Sequence, residues 1–192
     1  MIADKEDTMR TKAMVLFVIT GIAAAFTEAH EGLFLKFSVG PGIMIENAGI
    51  NTSGLTIAAK NHAVGWAFNG KFALFIGEFG GLLKKNFGEY RYINLDAFGP
   101  GCTWYLPYNI QLSVSGGYGQ AAFAHTWTEA TGAVKGKGYG INMSLEKEWM
   151  VLKRVGLGTG TQVFYVNTRN TGFSFLDFSL KGMATFYVIP VR

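Results

Sequence analysis

Several charged residues are spaced so that strand alternation would bring them to one face of a sheet. Side chains on a strand point alternately to opposite faces, and residues 138–149 separate in this way into an apolar and a polar set. The apolar set is Tyr139, Ile141, Met143, Leu145 and Trp149; the polar set is Gly140, Asn142, Ser144, Glu146 and Glu148. Alternation in the other segments predicts an inward-facing group of seven charges: Lys36, Glu78, Asp96, Glu146, Glu148, Asp177 and Lys181.

These inward charges could carry protons or ions along an interior path, or they could form pairs that satisfy a polar interior. Buried charges need partners of opposite sign or hydrogen bonds. The chain has eight segments with strand alternation, and a barrel closed by eight strands has an interior filled by side chains, with little room for a conduit. We therefore predict the paired network.

A second group that could do chemistry is the segment His125-Thr126-Trp127-Thr128-Glu129. A histidine, a nearby hydroxyl and an acid could activate a nucleophile for lipid deacylation. The nucleophile position carries Thr128 instead of serine, and the segment lies in a polar loop, not on a strand wall. We therefore predict no enzymatic activity.

No metal or cofactor site is predicted. His30 and His62 are separated in sequence and have no cysteine or carboxylate at metal-ligand spacing. The lone Cys102 can form neither an internal disulfide framework nor a metal cluster. We expect it to be a small buried residue.

Length and composition indicate one all-β domain. The chain has 192 residues, is 49% hydrophobic and 15% aromatic, and contains 26 glycines but only 16% charged residues. This is too apolar for disorder, yet no run of about 20 apolar residues follows residue 30, so a membrane-spanning helix is excluded there. Many short alternating segments with glycine and aromatic residues are typical of a closed antiparallel sheet.

Residues 1–29 are predicted to be an export signal. Met9-Arg10-Thr11-Lys12 is basic, residues 13–26 are apolar, and small residues flank Glu28 in Thr27-Glu28-Ala29. The domain then covers 30–192. It keeps 14 of the 17 basic and 9 of the 13 acidic residues, a net charge of +5. This charge favours contact with anionic lipid, and no basic stripe with stacking aromatics indicates nucleic acid.

Eight strands are predicted from the alternation, at about 32–45, 55–68, 71–82, 90–105, 110–119, 138–149, 155–165 and 173–188. The parity of the second segment changes near Lys60, which predicts either a β-bulge there or a segment that rises above the membrane. In the third segment we place Glu78 inside with Leu74 and Ile76, and Phe75 and Phe79 outside, because a carboxylate in lipid is costly. Gly99-Pro100-Gly101 should interrupt the ladder of the fourth strand.

The predicted connections alternate in length. Short turns are expected at 69–70, 106–109 and 151–154, and longer loops at 46–53, 84–89, 123–137 and 167–172. This alternation is typical of even-stranded barrels in the outer membrane, whose short turns face the periplasm. A sheet immersed in lipid must also close, because open edges leave backbone groups unsatisfied.

The sequence resembles the small eight-stranded outer-membrane barrels of the OmpA/OmpX type. The residues that carry the resemblance are Gly32-Leu33-Phe34-Leu35, Gly77-Glu78, Gly99-Pro100-Gly101 and Glu146-Lys147-Glu148-Trp149. It implies a transmembrane β-barrel in the outer membrane of a Gram-negative bacterium, inserted by the barrel-assembly machinery. The chain departs from the terminal phenylalanine usual in such barrels, because it ends Ile189-Pro190-Val191-Arg192.

The predicted function is structural or surface interaction by a monomeric barrel whose lumen is plugged by polar and charged side chains. Its loops should contact lipopolysaccharide or external partners through exposed residues, namely Lys84, Lys85, Trp127, Lys135 and Lys137. The alternatives are a lipid-modifying enzyme, a narrow channel, or a soluble carrier of the lipocalin type. A carrier would hold its bulky aliphatic face inside, whereas here those residues share a face with Trp149 and Tyr165.

Overall fold

The computed structural model describes residues 31–46, 52–68, 70–87, 90–126, 135–169 and 172–188. The predicted export signal lies outside these ranges. No helix of the described residues is long and apolar enough to cross a membrane.

The described chain forms eight strands joined in one closed antiparallel sheet. They are β1 (Gly32–Glu46), β2 (Thr52–Phe68), β3 (Phe72–Phe87), β4 (Tyr90–Leu106), β5 (Ile110–Ala124), β6 (Lys135–Leu152), β7 (Val155–Thr168) and β8 (Phe173–Tyr187). Each strand pairs with the next, and β8 pairs with β1. The all-β, eight-stranded up-and-down barrel predicted from the alternation is therefore confirmed.

The register fixes the tilt of the strands. Paired residues followed around the barrel run Phe34, Gly65, Phe75, Gly101, Ser115, Asn142, Phe164, Asp177 and Met44. The row returns to β1 ten residues further on, since 44 minus 34 is 10. Such an offset in eight strands corresponds to a tilt of about 40° and an interior just wide enough for side chains. Followed from β1 to β8, a row of paired residues therefore moves along the barrel axis, from the level of Phe34 at the start of β1 to the level of Met44 near its end.

The two ends of the barrel differ in their connections. The turn end carries Gly70–Lys71, the 3-10 turn Pro107–Asn109 and Lys153–Arg154. The loop end carries the connections at 47–51, 88–89, 125–134 and 169–172. The longer loop predicted at 84–89 is wrong, because β3 continues to Phe87 and β4 begins at Tyr90. Lys71 N donates to Phe68 O over 3.2 Å, and Gly70 has a φ of 62°, as a primed hairpin turn requires. Asn69 lies outside the described residues. The short turns are confirmed, and their periplasmic orientation stays a prediction.

A β-bulge interrupts the pairing of β1 with β2. Gly40 pairs with Ala59 but Gly42 pairs with Thr56, so β2 has one residue more than β1 between these pairs. The bulge lies opposite Pro41, which has no N–H for the ladder. The bulge predicted near Lys60 is confirmed and lies at 57–58.

Alternation separates an apolar outer wall from the lumen. About half of the surface of Ile141, Met143 and Leu145 on β6 is exposed, while Asn142, Ser144 and Glu146 between them are buried. Bulky aliphatic side chains thus face outward, opposite to the arrangement in a soluble carrier. Lys147, on the outward face near the turn end, donates to the carbonyl oxygen of Tyr108, as expected of a lysine that extends towards the headgroups.

The predicted faces of β3 are wrong. Leu74 and Ile76 are half exposed on the outer wall, and Glu78 shares their face. Phe75 and Phe79 are buried in the lumen. The ladder predicted to be interrupted at Gly99-Pro100-Gly101 keeps its pairing with β3, but Gly99 and Pro100 have no partner in the register with β5.

Candidate functional site

An ion cluster lies in the lumen on β1, β6 and β8. Glu146 is 2% exposed and lies between two buried lysines. Lys181 Nζ is 3.1 Å from Glu146 Oε1, and Lys36 Nζ contacts Glu146 Oε2. Burial of three charges is tolerated only when each has a partner. Glu146 is therefore the shared counter-ion of both lysines, and the three groups together keep a net charge of +1.

Polar side chains extend this cluster along the lumen. Lys36 Nζ donates to Gln111 Oε1 over 3.2 Å, and Gln111 Nε2 donates to Glu148 Oε2 over 2.9 Å. Tyr187 OH donates to the same oxygen of Glu148 over 3.1 Å. On the other side of the cluster, Lys181 Nζ donates to Gln162 Oε1 over 2.7 Å. Five strands, β1 and β5 to β8, are thereby connected by hydrogen bonds through the lumen.

Asp177 forms a separate contact nearer the loop end. It is fully buried, and Thr56 Oγ1 donates to its Oδ2. The structure thus places five of the seven predicted lumen charges inside: Lys36, Glu146, Glu148, Asp177 and Lys181.

Apolar side chains fill the lumen on both sides of this polar layer, which the sequence analysis did not predict. At the loop end the buried residues are Met44, Phe79, Leu83, Ile93, Leu95, Ala97, Ala121, Phe123, Phe164, Val166 and Phe175. At the turn end they are Phe34, Ala63, Ala67, Ala73, Phe75 and Tyr187. The rings of Phe79 and Phe164 meet edge to face at 5.7 Å. In the described lumen the ion cluster therefore lies between two groups of buried apolar side chains, and Asp177 lies beside Met44 and Phe164 of the loop-end group.

Glu78 and Asp96 lie on the outer wall, so their predicted inward position is wrong. Lys60 on β2 binds both: its Nζ is 2.6 Å from Glu78 Oε1 and 2.7 Å from Asp96 Oδ1. Asn94 Nδ2 donates to Asp96 Oδ2 over 2.7 Å. We call Lys60, Glu78 and Asp96 the wall triad.

Glycines explain why the phenylalanines of β3 face inward. Gly101 on β4 pairs with Phe75, and a Cβ at Gly101 would collide with the Phe75 ring. Gly140 on β6 lies close to the rings of Phe79 and Phe164. The lumen thus has room for the rings, while Lys60 partly compensates the carboxylate that is left outside.

The predicted surface contacts are only partly described. Lys84 and Lys137 are exposed near the loop end. The side chains of Lys85 and Lys135, and Trp127 as a whole, lie outside the described residues. Two further exposed cations, Arg91 and Arg169, lie at this end, and the guanidinium of Arg169 is 5.8 Å from the centre of the Tyr139 ring.

The segment considered for catalysis is described only at its start. His125 and Thr126 are exposed, and residues 127–129 lie outside the described part. Within the described ranges, no three His, Cys, Asp or Glu side chains are grouped so that they could hold a metal ion. Cys102, expected to be buried, is partly exposed on the outer wall.

The sequence matches no protein-family model and no curated protein. The structure is similar to solved outer-membrane barrels. Neisserial surface protein A aligns with a TM-score of 0.58 and 11% identity, over 84% of this chain and 100% of that protein. The attachment invasion locus protein Ail of Yersinia pestis, solved with the heparin analogue sucrose octasulfate, aligns with a TM-score of 0.50 and 10% identity, over 81% and 99%.

The alignments span nearly the whole length of both neighbours, so the structural similarity extends over their complete barrels. The predicted location, the outer membrane of a Gram-negative bacterium, is that of these neighbours. The chain therefore has the fold of the small eight-stranded outer-membrane barrels of the OmpA/OmpX type.

Proposed function

We propose that this outer-membrane barrel acts at its loop-end surface, where cations bind the anionic groups of lipopolysaccharide, and not through its lumen. The observation that carries the proposal is the packed lumen. Aromatic and aliphatic side chains fill its loop-end half, and the ion cluster of Glu146 lies below them. Binding of molecules outside the barrel is then left to the outer wall and the loops.

The charges at the loop end favour an anionic partner. Lys84 on β3, Arg91 on β4, Lys137 on β6 and Arg169 after β7 are exposed around this end. Lysine and arginine bind phosphate through charge-assisted hydrogen bonds. Arg169 also lies against Tyr139, and aromatic side chains of outer-membrane barrels concentrate where lipid meets water. These cations are thus placed to reach headgroup phosphates.

One of the structural neighbours was solved with a polyanion, the heparin analogue sucrose octasulfate. The identity of 10% carries no residue of that protein over to this chain. A barrel of this size is nevertheless a suitable scaffold for binding a polyanion.

Neutralising the loop-end cations should release bound lipid. In the variant K84Q/K85Q/K135Q/K137Q, we expect lipopolysaccharide retained after gentle extraction to fall at least about fourfold, since each exposed ion pair contributes about 0.2–1 kcal/mol. The retained lipid is measured by mass spectrometry of the purified barrel. Retention by the wild type should also fall with added salt, because salt screens exposed charges.

The control variant K71Q/K153Q/R154Q removes exposed cations from the turn end and should retain wild-type amounts of lipopolysaccharide. Equal retention by the wild type and the loop-end variant would contradict the electrostatic contact. Insertion by the barrel-assembly machinery, a monomeric state and the absence of catalysis stay predictions.

A further inference from the structure

The wall triad carries an uncompensated charge on the apolar outer wall. One lysine faces two carboxylates, which gives a net charge of −1. Leu74 and Ile76, which precede Glu78 on the same face, are half exposed. A charge among lipid-facing side chains is costly, so this position calls for an additional cationic partner.

The register connects the wall triad with the loop end of the barrel. One row of paired residues runs Lys60, Gly80, Asp96, Gln120 and Lys137. It starts at the middle of β2 and, because rows rise from β1 towards β8, it reaches the loop end at Lys137, two residues after β6 begins. Two polar residues, Gln120 and Lys137, thus follow Asp96 in the row that leads to the loop end.

Gly80 allows this arrangement. It lies between Lys60 and Asp96 in the row. Without a side chain at this position, Lys60 can extend across β3 to the carboxylate of Asp96.

A depression of about 220 Å³ lies beside the wall triad. It is lined by Glu78, Asp96, Ala97, Phe98, Tyr118 and Gln120. Its volume equals that of roughly seven water molecules in the liquid. Phe98 and Tyr118 are 60% and 54% exposed, so their rings stand out from the wall next to both carboxylates.

One carboxylate oxygen remains available in this depression. Glu78 Oε1 binds Lys60, whereas Glu78 Oε2 accepts no hydrogen bond within the described part of the chain. The Glu78 side chain is 41% exposed. Two carboxylates, an amide and two aromatic rings are the groups that bind an ammonium ion, through hydrogen bonds and cation–π contact.

We propose that this depression binds the primary ammonium head of a single-chain amphiphile whose alkyl chain runs along the apolar wall. The oxygens of Glu78, Asp96 and Gln120 accept hydrogen bonds from the ammonium N–H groups. The rings of Phe98 and Tyr118 flank the head and the first carbons of the chain. The half-exposed wall beside Leu74 and Ile76 provides the surface for the rest of the chain.

A second copy of this chain is a poor occupant. Two copies in one membrane are inserted in the same direction, so a dimer has its two-fold axis along the membrane normal. The two wall triads then lie at the same depth. Each triad has a net charge of −1, and like charges in lipid repel each other strongly. An anionic lipid headgroup is disfavoured for the same reason.

The test uses the purified full-length barrel in maltoside micelles near neutral pH. Dodecylamine, dodecyltrimethylammonium and dodecyl sulfate are titrated separately by calorimetry, and backbone amide NMR shifts of Gly80 and Tyr118 locate the binding. We expect dodecylamine to bind most tightly, because the quaternary head has no N–H donor and the sulfate is repelled.

Variants change the charge of the site in both directions. E78Q/D96N should weaken dodecylamine binding at least about tenfold, since hydrogen bonds to charged groups contribute about 1.5–3 kcal/mol each. K60Q should strengthen it, because the net charge becomes −2. The control E31Q removes one carboxylate near the turn end and should bind as the wild type does.

Three results would overturn the proposal. They are unchanged binding by E78Q/D96N, weaker binding by K60Q, and tighter binding of dodecyl sulfate than of dodecylamine. Folding of each variant is checked by its heat-dependent shift on SDS gels. Should E78Q/D96N fail to fold, Tyr118→Leu replaces it, with an expected loss of about two- to fivefold from the missing cation–π contact.

Discussion

Replacing Glu146 by alanine is expected to lower the free energy of unfolding of the barrel by about 3–5 kcal/mol. The substitution leaves Lys36 and Lys181 in the lumen without their shared carboxylate. Both lysines are almost fully buried, so neither can regain hydration without opening the sheet. The loss is measured by urea unfolding of the barrel in detergent or lipid vesicles, followed by tryptophan fluorescence.

The matched control is Glu78→Gln on the outer wall. The Glu78 side chain is 41% exposed, and Lys60 keeps Asp96 as a partner when Glu78 is neutralised. We expect no loss of stability, because the substitution also removes the net negative charge of the wall triad from the lipid-facing wall. A larger loss for E78Q than for E146A would contradict the assignment of the two residues to opposite faces of the wall.

The second large effect is expected at the lipid-facing side of β6. Met143 lies near the middle of this strand and is half exposed on the outer wall. Met143→Arg should destabilise the barrel by about 2–4 kcal/mol, because a cation near the midplane of the bilayer cannot reach water. Reversible folding into vesicles measures this cost.

Leu157→Arg is the control for depth. Leu157 is the third residue of β7 and lies near the turn end, with similar exposure. At the interface an arginine costs about 0–1 kcal/mol. Equal losses at the two positions, or no loss at Met143, would show that the exposed apolar face is not in contact with lipid.

Strand number, closure and most faces could be predicted from the sequence because the alternation on β5 to β8 is regular. In β6, each of Gly140, Asn142, Ser144, Glu146 and Glu148 is buried as expected. Polar residues on one face and bulky aliphatic ones on the other leave a single assignment for a lipid-facing sheet.

The faces of β3 and β4 could not be assigned by the same rule. Considered alone, the Glu78 carboxylate is too costly to place in lipid, so it was predicted to lie inside. The structure instead pairs it outside with Lys60, from the neighbouring strand. The interior of this narrow barrel is packed with side chains, so it accepts the rings of Phe75 and Phe79 where glycines leave space.

The signal that could have corrected the assignment is the set of glycines. Gly101 and Gly140 lie opposite the two phenylalanines in the lumen, and Gly80 separates Lys60 from Asp96 on the outer wall. These relations depend on the register between strands. In the structure only residues 88–89 separate β3 from β4. The sequence carries no turn signal there comparable to Asn69-Gly70, so a longer loop was predicted at 84–89 and the register of the two strands stayed hidden.

We infer that the lumen conducts no ions and that the barrel works from its outside. Recordings of purified wild-type protein in planar bilayers test this inference. We predict no steady current steps, because the rings of Phe79, Phe123, Phe164 and Phe175 fill the loop-end half of the lumen and the Glu146 cluster lies across its polar layer. Reproducible ion currents from the wild type, lost when the protein is heat-denatured before addition, would contradict the claim and favour a narrow channel.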